Sequence, residues 1–249
     1  MKAMIFAAGL GTRLKPLTDS MPKALVPVGG KPLLQILLEK LQRNGYNDIV
    51  VNVHHFADMI EQWLHDHTPE GMTTRCSDER QQLLETGGGI RHAAPMLRDA
   101  DRFLIHNVDI LSNVDLKAFA EAGRDADATL LVSERKTQRY LVFDSEMTLV
   151  GWTNIATGEV RTPHDHVRQA LEQGNHDYRL LAFAGMHQMS TSLMECMQEW
   201  PERFSIIDFY LKECAAHRIR GYVQPDLRLM DVGKLDTLDK ATEFLASVE

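Results

Sequence analysis

The first half of the chain alternates between two hydrophobic periods. Residues 3–7 are an uninterrupted apolar run, and residues 48–53 (DIVVNV), 102–107 (RFLIHN), 128–133 and, more weakly, 72–76 repeat it. Short runs of this kind mark strands buried on both faces. Between them lie stripes at helical spacing: Leu33, Ile36, Leu37 and Leu41 within residues 32–44, then Phe56, Met59, Ile60, Trp63 and Leu64 within 56–67. Pro32 opens the first of these helices and Gly45 follows its end. Residues 90–97 read as a short helix after a glycine run, and 115–122 as another. Strands alternating with helices predict a parallel sheet with right-handed crossovers. Ligands of such sheets bind beyond the carboxyl ends of the strands, so the loops after Ala7, Val53 and Asn107 should share one edge.

After residue 134 the pattern changes. Residues 140–143 and 149–152 read as hairpin strands, and 178–187, 219–224 and 227–231 as further strands. Residues 191–197, 206–217 and 234–248 read as helices. The polar stretch 153–177, with Gly158, Pro163 and Gly174, reads as a loop or irregular insert. No linker or repeat divides the chain. The expectation is a single domain, 1–249, with two halves, 1–134 and 135–249.

Composition narrows the class. A chain of 249 residues, 44% hydrophobic, buries enough apolar surface to need no disulfide or metal in its core. Cys76, Cys196 and Cys214 are scattered and form no CxxC pattern, which suits a reducing cytoplasm. No apolar run approaches the ~20 residues of a membrane span. The amino-terminal run is too short for a signal peptide and gives way to glycine and charge. With 27 Lys+Arg against 35 Asp+Glu, the net charge of −8 argues against a nucleic-acid groove or an anionic membrane partner. It leaves room for a phosphorylated small molecule, since a pocket needs only a few local cations.

Those cations are concentrated. The first strand runs into Gly9-Leu10-Gly11-Thr12-Arg13, where two glycines let backbone N–H groups approach a phosphate. A dinucleotide fingerprint is excluded, because Leu14 stands where its third glycine belongs and no acidic residue ends the second strand. No GxxxxGK[ST] loop occurs. The loop continues, punctuated by proline, through Pro16, Thr18, Pro22-Lys23, Pro27 and Lys31-Pro32, a length usually reserved for function. Arg13 offers a planar fork to phosphate oxygens and Lys23 a point charge. Arg13, Lys15, Lys23 and Lys31 fall within one 19-residue stretch (residues 13 to 31).

Residues 7–13 (AAGLGTR), with Pro16, Thr18, Pro22-Lys23, Leu25, Pro27 and Lys31-Pro32, resemble the signature of the sugar-nucleotidyltransferases, or NDP-sugar pyrophosphorylases. The resemblance implies a Rossmann-like three-layer mixed sheet and the reaction NTP + sugar 1-phosphate → NDP-sugar + pyrophosphate. Residues 84–89 (LETGGG) resemble the base-binding loop of that family, in the form seen in N-acetylmuramate 1-phosphate uridylyltransferases and related mannose-1-phosphate guanylyltransferases. By this resemblance Ala8, Gly9, Gly11, Thr12, Glu85 and Gly88 bind the nucleotide, Arg13 and Lys23 act in catalysis, and Asn107 and Gly185 face the sugar. Asp109 and Asp231 hold Mg2+, as carboxylates ending strands suit that ion. Val108 stands where the family usually has glycine, and Met230 where it has tryptophan.

The implied partners are an NTP, UTP or GTP, and a sugar 1-phosphate, handled by a cytoplasmic monomer or small homo-oligomer. UTP with a hexosamine-type sugar is favoured over a GTP-dependent mannose or heptose reaction. A non-catalytic nucleotide-sugar sensor and a cytidylyl transfer to phosphocholine are the remaining alternatives. No second sugar-phosphate lysine is found, and Arg161 is the nearest substitute. His54-His55 and His164-Asp165-His166 read as solvated loops, and Met186, Met189, Met194 and Met197 as core filling. A carboxy-terminal β-helix or regulatory domain is not expected, since one helix follows Asp231.

Overall fold

The computed structural model describes residues 1–174 and 177–248. In chain order the first half contains β1 (Lys2–Phe6), a short ladder of β2 (Pro27–Val28) and β3 (Lys31–Pro32), α1 (Leu33–Arg43), β4 (Asp48–Val53), α2 (Ala57–His67), β5 (Thr73–Asp78), α3 (Glu85–Leu97), β6 (Arg102–Asn107), β7 (Ile110–Ser112), α4 (Leu116–Ala122) and β8 (Ala128–Ser133). The second half adds β9 (Arg139–Phe143), β10 (Leu149–Asn154), β11 (Glu159–Arg161), α5 (Asp165–Glu172) and β12 (Arg179–Ser190). It closes with α6 (Thr191–Glu195), α7 (Ile206–Glu213), β13 (Ile219–Tyr222), β14 (Leu229–Asp231) and α8 (Leu235–Val248).

A ten-stranded mixed sheet runs β11-β10-β9-β12-β6-β1-β4-β5, with β8 and β13 attached beside β12. β6, β1, β4 and β5 are parallel, and β12 lies antiparallel to β6, β8 and β9. This is the Rossmann-like α/β architecture expected from the alternating half. β1 shows why its run carries no polar interruption. Ala3 and Ile5 face a core shared with α1, α2, α4 and α8, while Met4 faces a second core shared with α3, α6 and α7. α1 buries Leu33, Leu34, Leu37, Leu38 and Leu41, and truncating such a leucine to alanine costs about 2–5 kcal/mol. Gly45, at φ 82°, takes the left-handed turn that ends this helix.

Two expectations are corrected, and one strand is added. α3 begins at Glu85 instead of after the glycines, because Gly87, Gly88 and Gly89 pack inside its first turns. The insert 153–177 is not irregular throughout: β11 extends the sheet and α5 follows it, while positions 175 and 176 lie outside the described residues. β7 was not foreseen. It has only three residues, and its partner β14 comes from the far end of the chain.

Two imidazoles sit in the sheet interior. The His106 Nδ1–H donates to the Asn107 carbonyl at 2.7 Å, and the His187 ring shares a 2.6 Å hydrogen bond with the Tyr210 hydroxyl. Burial pushes His106 down to about 4 and His187 to about 3. Both groups titrate near 6.5 in the unfolded chain, which therefore binds more protons below that pH. Stability should be fully present above pH 6.5 and fall as pH drops towards 4, with a slope of about 1.4 kcal/mol per pH unit for each histidine. Urea unfolding at pH 7.5 and pH 5 measures this. His187→Phe should lower the midpoint at pH 7.5 and flatten the slope by one proton. A midpoint that does not move between these pH values contradicts the buried neutral assignment.

Candidate active site

The site grows from the exit of β1. At Ala7 and Ala8 the backbone leaves the sheet, and both N–H groups donate to one buried acceptor, Asn52 Oδ1 on β4, at 2.7 and 3.2 Å. The Asn52 amide nitrogen donates to Glu79 Oε1 at 2.8 Å, and Glu79 Oε2 accepts from the Leu84 N–H at 3.2 Å. Burial pushes the Glu79 carboxyl above its usual range, against the lowering effect of the hydrogen bonds from Asn52 and Leu84. One chain of hydrogen bonds thus joins the loop after β1 to the loop before α3. Gly89 is small for this reason: a Cβ there would lie 2.8 Å from Glu79 Oε1.

The glycine loop is shaped from within. Gly11 has φ 63°, and its carbonyl accepts from the Thr18 hydroxyl at 2.8 Å. A side chain at Gly11 would meet Thr18 Cγ2 at 2.9 Å, so both conformation and space call for glycine. Residues Thr12–Leu14 then form a single 3-10 turn that carries Arg13.

On the opposite side, β6 ends at Asn107 and the chain turns through Val108 and Asp109 into β7. β7 pairs with β14, and the Val232 N–H donates to the Asp109 carbonyl at 2.8 Å. This ladder sets Asp231 opposite Ile110, the residue after Asp109, across 122 residues of sequence (231 − 109). Lys40, pushed down to about 8 by burial, secures β7 through the Ser112 carbonyl at 2.6 Å and its hydroxyl at 3.1 Å.

A cleft of about 360 Å³ opens between these parts. Ala8, Gly9, Gly11, Thr12, Arg13, Lys23, Glu85, Asn107 and Asp109 all border it. Each cation there faces an acid. Lys23 is ion-paired with Asp109, their side chains only 11% and 19% exposed. Arg13 lies 3.9 Å from Asp231, and both are about half exposed. Gly233 leaves them room, since a Cβ there would lie 2.6 Å from the Arg13 guanidinium. Lys15 and Lys31 turn elsewhere, to Asp19 and Glu39.

The LETGGG segment divides. Glu85 and Thr86 border the cleft. Glu85 adopts φ 64°, rare for a residue with a side chain, and two nitrogens of Arg203 hold its carboxylate at 2.8 and 2.9 Å. Gly88 lies outside the cleft. A Cβ there would be 2.3 Å from the Glu202 carbonyl oxygen, and at Gly87 it would strike the Phe204 ring. Gly88 borders a larger cavity of about 570 Å³ between α3 and α6, away from the strand ends. Gly185 sits at φ 74° where the register of β12 shifts, and a Cβ there would lie 3.0 Å from the Asn107 amide. Its bulge therefore backs Asn107.

Asn52 and Glu79 escaped the sequence reading. Asn52 left one signal, a polar residue inside an otherwise apolar strand. Glu79 left none, because an acid at a strand end reads as surface. Arg161 is remote from the cleft, paired with Asp208 and 5.3 Å over the Trp152 ring. His54 bonds to the Glu79 carbonyl at 2.6 Å. Among the described residues no helix is long and apolar enough to cross a membrane.

Known proteins resemble this chain along its length. A family model described as nucleotidyl transferase matches residues 2–248. The N-acetylmuramate alpha-1-phosphate uridylyltransferase of Caulobacter vibrioides is 34% identical over 234 residues, covering 93% of this chain and 91% of that one. The D-glycero-alpha-D-manno-heptose 1-phosphate guanylyltransferase of Aneurinibacillus thermoaerophilus is 28% identical over 98% of both chains. The crystal structure of HddC from Yersinia pseudotuberculosis complexed with GMP-PN superposes with a TM-score of 0.76 over 98% of both chains, at 24% identity, a likeness of fold. With the family match spanning every residue that lines the cleft, the chain belongs to the nucleotidyl transferases.

Proposed function

We propose that this chain transfers a uridylyl group from UTP to a hexosamine-type, N-acetylmuramate-like sugar 1-phosphate, releasing pyrophosphate. The general reaction, NTP + sugar 1-phosphate → NDP-sugar + pyrophosphate, is that of the family. The observation that carries the reading is the ion pair of Lys23 with Asp109 in the cleft beside the Gly9–Gly11 loop, with Arg13 bordering the same cleft and reaching Asp231 at 3.9 Å.

In this reading residues 1–134 supply the nucleotide half and 135–249 the sugar half of one catalytic unit. An oxygen of the sugar 1-phosphate attacks the α-phosphorus of the NTP in line, and pyrophosphate leaves on the far side. The attacking phosphate is already an anion, so no protein nucleophile or general base is required, and catalysis consists of positioning and charge neutralisation. Arg13 and the amides of residues 9–12 hold the β- and γ-phosphates. Lys23 exchanges its pairing with Asp109 for the charge that builds at the α-phosphate. Glu85 and Thr86 face the base, and Asn107, backed by the Gly185 bulge, faces the sugar. The donor set fits Mg2+, because Asp109 and Asp231 are hard oxygen donors, and the β7–β14 ladder sets Asp231 opposite Ile110, the residue after Asp109. Held by these carboxylates, Mg2+ would supply neutralisation of phosphate charge.

UTP with an N-acetylmuramate-like sugar rests on the Caulobacter relative, which covers more than nine-tenths of both chains. A guanylyl transfer to a heptose or mannose 1-phosphate is the second reading, favoured by the full-length Aneurinibacillus relative.

Two outcomes test this. Lys23→Ala and Asp109→Ala should each lower turnover by about 10²–10³-fold, the scale of losing one transition-state charge partner, while circular dichroism shows the fold retained. Near-wild-type turnover in either variant rejects the roles given. Pyrophosphate release should then be measured for four NTPs against several sugar 1-phosphates with Mg2+. UTP with N-acetylmuramate 1-phosphate is expected to give the highest kcat/KM. A maximum with GTP and a heptose or mannose 1-phosphate establishes the second reading, and release with any pair eliminates a non-catalytic sensor.

A further inference from the structure

A second set of ligating side chains lies at the other edge of the sheet. β8 and β13 run in the same direction as β6, so their amino ends are opposite the strand ends that carry the cleft. Cys196 follows α6, Glu213 ends α7, and His217 lies just before β13. The Cys196 sulfur, a Glu213 carboxylate oxygen and a His217 ring nitrogen all fall within 4.8 Å of one another. The sulfur is 3.7 Å from His217 Nε2, and Glu213 Oε2 is 3.9 Å from the same nitrogen.

Those separations suit one ion. Zinc bond lengths of about 2.3 Å to sulfur and about 2.0–2.1 Å to nitrogen or oxygen, at tetrahedral angles, put sulfur and nitrogen about 3.6 Å apart and nitrogen and oxygen about 3.4 Å apart. The ligands are also oriented from behind. His217 Nδ1 lies 3.4 Å from Asp127 Oδ2, which leaves Nε2 facing Cys196 and Glu213. Asp127 is itself fixed, since its Oδ2 accepts the Arg218 N–H at 2.9 Å. The second oxygen of Glu213 accepts from the Trp200 indole at 3.4 Å. A carboxylate behind a histidine is the outer support that zinc histidines use, and thiolate, imidazole and carboxylate together select a borderline-soft ion over Mg2+.

We propose that Cys196, Glu213 and His217 form a zinc-class divalent metal site, with Asp127 as the positioning residue for His217. The site differs from the Asp109–Asp231 pair in place and in donor chemistry. Three protein ligands leave a fourth position for water. The ion ties the end of α7 to the segment that follows α6. That segment carries Arg203, which holds Glu85, and Phe204, which covers Gly87. Binding therefore braces the wall behind the base side of the cleft.

The test uses the full chain, stripped with chelator and returned to excess Mg2+ so that hard carboxylate sites are filled. Titration with Co2+ should give one equivalent of binding and a thiolate-to-cobalt charge-transfer band in the near ultraviolet. Zn2+ should displace the Co2+ and raise the thermal midpoint. Cys196→Ser and His217→Ala should abolish both the band and the rise, while their metal-free midpoints match that of the metal-free parent. Asp127→Asn should weaken Zn2+ affinity by about 10–100-fold without removing the band. The proposal is overturned by the absence of a thiolate band, by a band that survives Cys196→Ser, or by one that is lost only when Cys76 or Cys214 is replaced.

Discussion

The site depends on how β1 ends. A strand that leaves its sheet carries N–H groups that the ladder no longer satisfies, and here those of Ala7 and Ala8 are buried. Asn52 satisfies both from the neighbouring strand and passes the load to Glu79. A buried donor left unpaired costs about 1–3 kcal/mol, so this one amide decides whether the glycine loop can leave the sheet where it does. The same network reaches Leu84, which sets the start of α3. The phosphate side and the base side of the cleft are therefore positioned by one continuous set of hydrogen bonds.

Charge follows a similar economy. The chain carries a net charge of −8, yet two cations face the cleft, each beside an acid. Pairing keeps Lys23 and Asp109 tolerable where both are mostly buried, since an isolated charge there is costly. It also leaves the pair able to exchange partners when an anion and a cation arrive together. The four-cation stretch therefore resolves into two groups at the cleft and two on the surface, Lys15 and Lys31, that serve local ion pairs.

The glycines of residues 87–89 show how composition and role separate. In sequence they resemble part of a base-binding loop. In the structure they sit in the first turns of α3, where the absence of side chains lets the 202–204 segment and Glu79 close in. The base side of the cleft is bordered instead by Glu85 and Thr86. Glu85 has a left-handed backbone conformation, and its carboxylate pairs with Arg203, 118 residues away.

Periodicity alone determined the parallel half of the sheet, the helices on its faces and the strand-end placement of Asp109, because these follow from local alternation of apolar and polar positions. The run from Ala7 to Lys31 carried the resemblance for the same reason, being contiguous. Only the tertiary structure decided that Asp231 pairs opposite Ile110, one residue from Asp109. A three-residue strand has no periodicity to read, and its pairing with β14 spans most of the second half of the chain. Only the fold, too, showed that Asn52 and Glu79 are buried together and that Cys196, Glu213 and His217 converge. Such groupings are made by strand order and helix packing, which bring distant residues within hydrogen-bonding or ligating reach without leaving a mark on either neighbourhood.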